Sequence, residues 1–386
     1  MAKAFGHLAD GLAAIGQKKL YRSRRVIQST EGVVVHIGGR ALVNFSSNDY
    51  LGLAQHPEVV RAFKQATDAY GVGSGSAHLI AGHSFHHHAL EEELAAFAGR
   101  DRALLFSTGY MANLGVLTAL LRRSDAVFED RLNHASLLDG GLSSPAVFKR
   151  YAHADVNDLA RLLQNASGNR LVVTDGVFSM DGDFAPLREL SQLAKQQDAW
   201  LMVDDAHGLG VVGDTGRGVL EHYGLSQQDV PVYMATLGKG LGTFGAFVAG
   251  SETLVETLIQ KARPYIYTTA LPPAIAAATR VSLQLAGTED WRRIKLNSLV
   301  ERFRAGAGQL GLAVLPSASA IQPVMVGDVA SVTALGNALF EAGFLVGSIR
   351  PPTVPQGSAR LRITFSALHE ERHVDRLLDA LARVSP

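Results

Sequence analysis

The segment VPVYMATLGKGLGTFGAFVAG, residues 230–250, places a single lysine in a run of glycines between two apolar stretches. VPVYMAT (230–236) and GAFVAG (245–250) have the apolar, β-branched character of buried strands. A glycine-rich turn after a strand brings backbone N–H groups close to an anion, or lets a side chain enter a crowded site. Three roles are therefore open to Lys239: holding a phosphate, forming a covalent bond, or facing water.

Strand-like and helical runs alternate over the residues before this segment. The strand-like runs are RALLFS (102–107), DAVFED (125–130), AVFKR (146–150), RLVVTDG (170–176) and AWLMVDD (199–205). Helical stretches such as GYMANLGVLTALL and PLRELSQLAKQQ lie between them. Apolar strands that alternate with helices indicate a mostly parallel sheet covered on both faces, so we expect an α/β fold class.

The same pattern divides the chain into three parts. Residues 1–45 carry a basic N-terminal helix and two short strands joined by a Gly-Gly turn. Residues 46–286 contain the alternating runs and predict a large α/β domain. Residues 287–386 interleave the runs IQPVMVG, FLVGSI and ARLRITFS with helices, and they predict a smaller C-terminal α+β domain.

Composition narrows the class of protein. The 386 residues include 36 Lys plus Arg and 36 Asp plus Glu, and this balance removes the electrostatic signature of a nucleic-acid binder. Hydrophobic residues make up 47%, which is enough for a sizeable core, and the lack of cysteine excludes disulfides and cysteine nucleophiles. The N-terminus has no apolar signal-peptide core and no run resembles a membrane span, so we expect a cytoplasmic protein.

Polar and ionisable residues follow five of the strand-like runs. Because the ligand site of an open α/β sheet lies outside the carboxyl ends of its strands, we expect these residues to meet at one edge. They are Ser107, Thr108, Gly109 and Tyr110; Asn133 and His134; Asp175 and Ser179; Asp204 and His207; and Thr236 and Lys239.

Asp204 and Lys239 together point to one cofactor. Asp204 ends the apolar run AWLMVDD, and it is either a helix N-cap or a buried carboxylate that needs a cationic partner. A protonated pyridine nitrogen is such a partner in enzymes that use pyridoxal 5′-phosphate (PLP). PLP is carried as a Schiff base on a lysine, the role we assign to Lys239, and Thr236 can donate its hydroxyl to the phosphate. We therefore predict PLP as the cofactor.

Two other residues stay open between a structural and a functional role. Gly109 opens the helix of FSTGYMANLG, where free N–H groups and the helix dipole favour a phosphate, but an ordinary strand-to-helix turn has the same pattern. His134, in DRLNHASLLDG, either stacks on the cofactor ring or is a hydrogen-bonded loop histidine.

Two rival ligands fit the sequence poorly. The run LGKGLG lacks the spacing and the following hydroxyl residue of a nucleotide P-loop. His87 and Glu91 lie one helical turn apart in GHSFHHHALEEE, but a zinc site needs three converging ligands, and the consecutive residues His86–His88 point around the helix. We therefore predict no metal site.

Nine segments in order resemble the α-oxoamine synthases, a family of fold-type I PLP enzymes that condense an amino acid with an acyl thioester and release carbon dioxide. The resemblance covers roughly residues 20 to 380. The segments are NFSSNDYLGL, GSGSAHLIAGHSFHHHALEEELAAF, FSTGYMANLG, DRLNHASLLDG, VTDGVFSMDGD, DDAHGLGVVGDTGRG, TLGKGLG, YIYTTALPPA and RPPTVPQGSARLRITFSALH.

The resemblance implies a role for each matching position. The catalytic residues of this chain would be Lys239, Asp204, His207 and His134. Lys239 would be the Schiff-base lysine and the base that removes the α-proton. Further cofactor contacts would be Gly109, Tyr110, Ser179 and Thr236, with Thr268 or Thr269 from a second subunit. Substrate contacts would be Asn48, Arg350 and Arg362 for the amino-acid carboxylate, and Arg22 and Thr353 for the acyl substrate. Asp175 stands where a glutamate is expected, so the resemblance leaves a catalytic role for it open.

The resemblance also implies the partners. The segments are most similar to the biotin-pathway member, which joins L-alanine to a pimeloyl thioester carried by coenzyme A or an acyl-carrier protein. A homodimer with its site at the subunit interface is expected, with no nucleic acid and no membrane. One alternative is a sister enzyme that takes glycine and acetyl-CoA. A PLP-fold regulatory protein is a distant second, because the roughly 45 residues before NFSSNDYLGL are too few for a DNA-binding domain.

Overall fold

The computed structural model describes residues 4–18 and 20–384. Its helices are α1 (His7–Gln17), α2 (Pro57–Tyr70), α3 (Phe85–Ala98), α4 (Gly109–Leu120), α5 (Ala135–Ser143), α6 (Val156–Leu163), α7 (Leu187–Gln196), α8 (Val219–Tyr223), α9 (Glu252–Lys261), α10 (Arg263–Ile266), α11 (Pro273–Thr288), α12 (Trp291–Gln309), α13 (Val329–Glu341) and α14 (Glu371–Val384), with a π-helical turn over His78–Gly82. Its strands are β1 (Ser29–Glu31), β2 (Val34–Ile37), β3 (Arg40–Asn44), β4 (Arg102–Phe106), β5 (Ala126–Asp130), β6 (Val147–Tyr151), β7 (Arg170–Asp175), β8 (Ala199–Asp204), β9 (Val232–Thr236), β10 (Ala246–Gly250), β11 (Ile321–Gly327), β12 (Phe344–Leu345), β13 (Gly347–Ile349) and β14 (Ala359–Thr364).

The chain forms two compact units. The larger unit comprises Asn48–Ser179 and Asp183–Lys295. The smaller unit comprises the chain up to Ser47, the three residues Met180–Gly182, and the chain from Leu296 onward. The units therefore change at 47/48 and 295/296, whereas the sequence predicts domain boundaries at 45/46 and 286/287.

The larger unit is built on a seven-stranded sheet in the order β4-β10-β9-β8-β7-β5-β6. The pairs β6–β5, β5–β7, β7–β8 and β8–β9 are parallel, and β10 runs antiparallel to both of its neighbours. Each of the seven apolar runs identified in the sequence forms one of these strands. The prediction is accurate here because strands covered on both faces are mostly apolar, and this pattern is local to each run; the edge strand β6 is the exception, with Lys149 and Arg150 in it.

Helix α4 packs on this sheet and carries the start of the candidate site. Val116 and Leu117 of α4 are fully buried, in a core cluster with Phe106 of β4, Met202 of β8 and Met234 of β9. Burying each such side chain contributes about 1.5–3 kcal/mol. The amino end of α4 is thus held rigidly beside the carboxyl ends of β8 and β9.

The smaller unit contains two sheets, β1-β2-β3-β12 and β11-β14-β13. The run FLVGSI, which the sequence predicts as one strand, is divided between them. Phe344–Leu345 pairs in parallel with β3, whereas Gly347–Ile349 pairs antiparallel with β14. The partner of Phe344 is Val43, about three hundred residues earlier in the chain, so no local pattern could have predicted this division.

Among the described residues, no helix combines the length and apolar character needed to cross a bilayer.

Candidate active site

A cavity of about 200 Å³ opens in the larger unit beside the carboxyl ends of its strands. It is lined by the loops and helix starts that follow β4, β5, β7, β8 and β9. The lining residues are Gly109, Tyr110, His134, Ser136, Asp175, Ser179, Asp204, Ala206, His207, Met234, Thr236 and Lys239. The structure thus brings together every predicted cofactor contact except Thr268 and Thr269, although the contacts themselves stay predictions.

Lys239 begins a chain of hydrogen bonds that links the cavity to the loop after residue 47. Its Nζ lies 3.0 Å from His207 Nε2, and His207 Nδ1 lies 2.7 Å from the hydroxyl of Tyr50. The Tyr50 hydroxyl donates to Asn48 Oδ1 at 3.1 Å. Because a tyrosine hydroxyl has one proton to donate, it accepts from His207 Nδ1–H, and His207 Nε2 is then the acceptor that faces Lys239.

The glycines beside Lys239 make room for neighbouring main chain. A Cβ on Gly240 would lie 2.3 Å from the carbonyl oxygen of Leu209, and one on Gly242 would lie 2.4 Å from the amide nitrogen of Ala54. Gly242 also has a φ of +64°, which residues with a Cβ rarely adopt. These two glycines therefore let the Lys239 loop pack closely against other backbone.

Asp204 is a buried carboxylate at the end of β8, with a 4% exposed fraction. It accepts hydrogen bonds from Asn113 Nδ2 at 2.7 Å and from the amide of Ala206 at 3.0 Å. The next helix, α8, begins only at Val219, so Asp204 is not a helix N-cap. A carboxylate offers about four acceptor positions, so Asp204 can also accept from a cationic N–H in the cavity.

His134 lies at the start of α5 in a defined orientation. Its Nδ1 lies 2.7 Å from Ser136 Oγ and accepts from the Ser136 amide at 3.3 Å. Its own amide donates to Asp175 Oδ2 at 2.8 Å. Burial lowers the pKa of His134, although the Asp204 charge opposes this shift, and burial followed by the Asp204 charge raises the pKa of Asp175. The ring is therefore neutral, and Asp175 holds its backbone in place.

The amino end of α4 completes the lining. The Thr108 side chain accepts from the Met111 amide at 3.2 Å, so the helix is capped one residue before Gly109. A Cβ on Gly109 would lie 2.7 Å from Thr236 Cγ2, so only glycine lets this helix end approach β9 so closely. Amides in the first turn of a helix point outward and, with the helix dipole, favour an anion. The Tyr110 hydroxyl donates to Asp139 Oδ2.

These groups fit PLP. The cavity combines a lysine amine, a buried carboxylate, a neutral imidazole, and a helix amino end beside a threonine hydroxyl. They match, in turn, the aldehyde, the pyridine nitrogen, the flat ring and the phosphate of PLP. The fold and the site together define a fold-type I PLP-dependent enzyme.

Several predicted residues lie outside this lining. Thr268 and Thr269 follow α10 and do not line the cavity of their own chain, so their predicted role in a second subunit stays a prediction. Arg22, Arg350, Thr353 and Arg362 belong to the smaller unit. There, Arg22 Nη2 donates to Thr353 Oγ1 at 3.4 Å.

Sequence reasoning missed Asn113 and Tyr50 as individual residues. Asn113 lies four residues after Gly109 in an otherwise apolar helix, and an isolated amide in that position is a signal for a buried polar contact. Tyr50 lies in the quoted motif NFSSNDYLGL, but its partner His207 is 157 residues away. Only the folded chain reveals that pairing.

A second, larger cavity of about 1050 Å³ lies between α2, α3 and α11 of the same unit. Five of its eighteen lining residues are alanines, and its charged side chains include Arg217 and the ion pair of Arg280 with Glu93, 2.6 Å apart. The cavity at the strand ends combines a lysine amine with a buried carboxylate, so it is the better candidate for chemistry.

Comparisons with known proteins agree with this assignment. The family model for aminotransferase class I and II matches residues 40–381. The chain is 58% identical to the 8-amino-7-oxononanoate synthase of Cellvibrio japonicus, over 98% of this chain and 96% of that protein. It is 60% identical to the enzyme of the same name from Methylococcus capsulatus, over 98% of each.

Solved structures show the same relationship. A serine palmitoyltransferase from S. paucimobilis, solved with a PLP–myriocin adduct, superposes with a TM-score of 0.94 at 30% identity, over 100% of this chain and 98% of that one. An 8-amino-7-oxononanoate synthase from Francisella tularensis superposes with a TM-score of 0.78 at 30% identity, over 89% of this chain and 97% of that one.

The chain belongs to the class I and II aminotransferase family and, within it, to the 8-amino-7-oxononanoate synthases. The predictions of a fold-type I α/β architecture, of a PLP-dependent enzyme and of membership in the α-oxoamine synthases are confirmed.

Proposed function

We propose that this enzyme condenses L-alanine with a pimeloyl thioester to give 8-amino-7-oxononanoate, carbon dioxide and a free thiol, as a step of biotin biosynthesis. The observation that carries the proposal is near full-length identity of about 60% to synthases of that name, in a chain whose cavity places Lys239, His207 and Asp204 together. The curated relatives at 58–60% identity are all named for the alanine reaction, whereas the solved serine palmitoyltransferases are 30–33% identical, so the curated relatives favour the alanine reaction over the serine one.

The lining residues divide into groups that would hold different parts of the cofactor. Lys239 would hold it covalently, and Asp204 would face its ring nitrogen. The ring of His134 would lie against it, and Ser179 and His207 would lie near its ring hydroxyl. The amides of Gly109 and Tyr110, with Thr236, would hold its phosphate, joined by Thr268 or Thr269 of a second copy in a homodimer.

When bound, PLP supplies an electron sink that stabilises negative charge on the amino-acid α-carbon. Asp204 would support this role, because a buried carboxylate that faces the ring nitrogen would keep that nitrogen protonated. The neighbouring amide of Asn113 is bonded to Asp204 Oδ2 at 2.7 Å and keeps the carboxylate in one orientation.

Lys239 needs an uncharged amine for both of its roles, bond formation and removal of the α-proton. His207 Nε2, 3.0 Å away, is the acceptor that can take a proton from it. Tyr50 orients that acceptor, because its hydroxyl takes the hydrogen bond of His207 Nδ1–H on the opposite side of the ring. Tyr50 is thus a positioning residue for the Lys239–His207 pair.

The substrate contacts stay as the sequence predicts them. Arg350 and Arg362, with Asn48, would bind the alanine carboxylate, because a guanidinium forms two parallel hydrogen bonds with a carboxylate. Arg362 lies on β14, and its register partner on β13 is Gly347, three residues before Arg350. Arg22 and Thr353, already in contact with each other, would meet the acyl chain.

The test is release of free thiol from acyl-CoA substrates. The chain has no cysteine, so a thiol reagent reports only the product. We expect release with L-alanine and pimeloyl-CoA, and mass spectrometry should identify 8-amino-7-oxononanoate. Parallel reactions use glycine with acetyl-CoA and L-serine with palmitoyl-CoA, and Lys239→Ala is the blank.

Each outcome assigns the activity. Release only with glycine and acetyl-CoA would replace the proposal by the sister reaction, and release only with serine would replace it by a palmitoyltransferase. If all three pairs are silent, pimeloyl-acyl-carrier protein with L-alanine is the deciding reaction, and a negative result there overturns the proposal.

A further inference from the structure

A cluster of imidazoles lies at the start of α3, on a face of the larger unit that the proposed reaction does not use. His78 begins the π-helical turn, His83 follows it, and His87 and His88 lie in the first turn of α3. Glu91 is one turn further along the helix. Two sets of potential ligands share His83: His78 and His87 form the first set with it, and His88 and Glu91 form the second.

Hydrogen bonds make His87 unsuitable as a ligand. Its Nδ1 accepts from the Ser84 amide at 2.9 Å, as the reciprocal half of a capping box. An accepting Nδ1 requires the neutral ring to carry its proton on Nε2, and Nε2 lies 2.7 Å from the carbonyl oxygen of Leu271. Both nitrogens are therefore committed to holding α3 in place, so the set containing His78 and His87 is not a metal site.

The second set is oriented for an ion. His83 Nδ1 lies 3.0 Å from His78 Nδ1, and His83 Nε2 lies 3.9 Å from Glu91 Oε2. The other oxygen of Glu91 accepts from the Leu105 amide at 2.9 Å. A second contact thus holds each side chain, through His83 Nδ1 and through Glu91 Oε1, while His83 Nε2 and Glu91 Oε2 face each other. Supporting contacts of this kind position the ligands in metal sites.

His88 supplies the third ligand. It lies three residues before Glu91 on α3, and the ligand atoms of His83, His88 and Glu91 all lie within 4.8 Å of one another. His88 Nε2 is also 3.5 Å from Glu92 Oε1, but both of those side chains are about two-thirds exposed or more, and exposed pairs of this kind contribute little. Because the contact with Glu92 contributes little, it does not prevent the His88 ring from turning toward His83 and Glu91.

We propose that His83, His88 and Glu91 bind one divalent transition-metal ion of the zinc type. Two imidazoles and a carboxylate suit Zn²⁺, Co²⁺ or Ni²⁺, whereas Ca²⁺ and Mg²⁺ prefer oxygen ligands. Glu91 is 13% exposed and His83 28%, so the ion would neutralise a carboxylate that is largely withdrawn from water. The exposed side of His88 leaves the fourth position to water.

Such an ion would join His83, two residues before α3, to the helix itself and, through Glu91, to the backbone of β4. Sequence reasoning excludes a metal here because consecutive histidines point around a helix. That argument holds for His86, His87 and His88 among themselves. It does not cover His83, which the π-helical turn brings back toward Glu91.

The experiment is titration of tag-free, PLP-loaded protein with Zn²⁺ after removal of adventitious metal. Calorimetry should show one ion per chain at this site, and Co²⁺ should give the absorption bands of a low-coordinate complex. His83→Gln and His88→Gln should each weaken binding about tenfold or more. Zn²⁺ should also raise the melting temperature of the wild-type protein but not that of the two variants.

His86→Gln is the matched control. His86 lies between the two histidines but has a different partner, with Nδ1 3.3 Å from Arg280 Nη1. Its substitution should leave Zn²⁺ affinity unchanged. The proposal is overturned if Zn²⁺ binding does not saturate, if His83→Gln binds as tightly as wild type, or if His86→Gln weakens binding as much as the other two variants.

Discussion

Asp204 and Asp205 are consecutive, both buried, and chemically identical, yet they serve two different regions of the larger unit. Asp204 lines the cavity and accepts from Asn113 and Ala206. The Asp205 carboxylate accepts from the Val219 amide and the Tyr233 hydroxyl, each at 2.9 Å, and so holds the start of α8 to β9. Consecutive residues of an extended chain point to opposite sides, which explains why the two diverge.

The contrast separates polar groups that act on a ligand from polar groups that hold the fold. Asp204 and Lys239, which line the cavity, and Tyr50, which contacts His207, should affect activity more than stability. Structural groups such as Asp205 and His153 should affect stability more than activity. Burial alone does not distinguish the two classes, since both aspartates are at most 4% exposed.

Replacement of Lys239 should have the largest effect. Lys239→Ala removes the amine that we propose bonds the cofactor, and activity should fall by about 10³-fold or more with no PLP retained after borohydride reduction. The matched control is Lys261→Ala at the end of α9, which should keep full activity. Covalently bound PLP in Lys239→Ala would contradict the assignment.

Asp204→Asn should remove activity and leave the fold intact. An amide cannot supply the negative charge that we propose keeps the ring nitrogen protonated, and we expect a loss of about 10²-fold or more in kcat. The Asn113 and Ala206 contacts can be kept in part by the amide oxygen, so the melting temperature should change little. An unfolded or fully active Asp204→Asn would place this residue with the structural group instead.

His153 is the clearest structural counterpart, because it joins two carboxylates. Its Nδ1 lies 3.0 Å from Asp130 and its Nε2 lies 2.8 Å from Asp183. Burial alone would lower the pKa of His153, but these two hydrogen bonds outweigh it and raise the pKa to about 10. His153→Gln should therefore lower the free energy of unfolding by about 2 kcal/mol near neutral pH, with activity per folded molecule unchanged.

The raised pKa of His153 determines how its contribution to the free energy of unfolding changes with pH. The folded-state pKa lies above the ordinary value of 6.5, so the stabilisation is fully present below pH 6.5 and is lost as pH rises toward about 10. Urea unfolding of wild type and His153→Gln across that interval should show the difference between them shrinking. A difference that stays constant with pH would mean that His153 acts through packing alone.

Tyr50→Phe tests the orientation of His207 without changing the size of the side chain. Loss of the hydroxyl removes the acceptor for His207 Nδ1–H, and kcat/KM should fall about tenfold, the equivalent of one hydrogen bond. Nitrogen-15 spectra of the metal-free apoprotein should show His207 with its proton on Nδ1 in wild type and a mixture of tautomers in the variant. Identical spectra would leave Tyr50 a purely structural role.

Asp205→Asn should have the smallest effect. Burial raises the pKa of Asp205 to about 8, so this carboxyl is largely protonated at neutral pH and an amide replaces it closely. Below pH 3.8, where this carboxyl is protonated in both the folded and the unfolded state, we expect a change within about 1 kcal/mol in the free energy of unfolding, and we expect no loss of activity. Because the folded state keeps a proton that the unfolded state releases, wild-type stability should fall between pH 3.8 and about 8, and Asp205→Asn should lose that component.

The sequence predicts the large sheet and most of the cavity lining, because both follow from local patterns. Most strands of the sheet are apolar runs of five or six residues, and the functional side chains come directly after such runs. His134 and Gly109, which the sequence leaves open between two roles, prove to line the cavity. The domain division, the substrate contacts and the cytoplasmic location stay predictions.

Other features depend on contacts between distant segments. The amide of Asn113 meets Asp204 across 91 residues, and the hydroxyl of Tyr50 meets His207 across 157. The pairing of β12 with β3 divides a run that looks like one strand. No residue pattern within a window of helix or strand length contains these partners.

Hydrophobic periodicity predicts the order of strands and helices. Residue types at the strand ends predict the cofactor and the role of Lys239. Both signals are properties of short stretches of sequence. The division of labour between Asp204 and Asp205, the tautomer of His207 and the return of His83 toward Glu91 depend on which side of the backbone faces which neighbour. Packing settles those choices, because a side chain's partner is fixed by the path of the whole chain and not by the residues beside it.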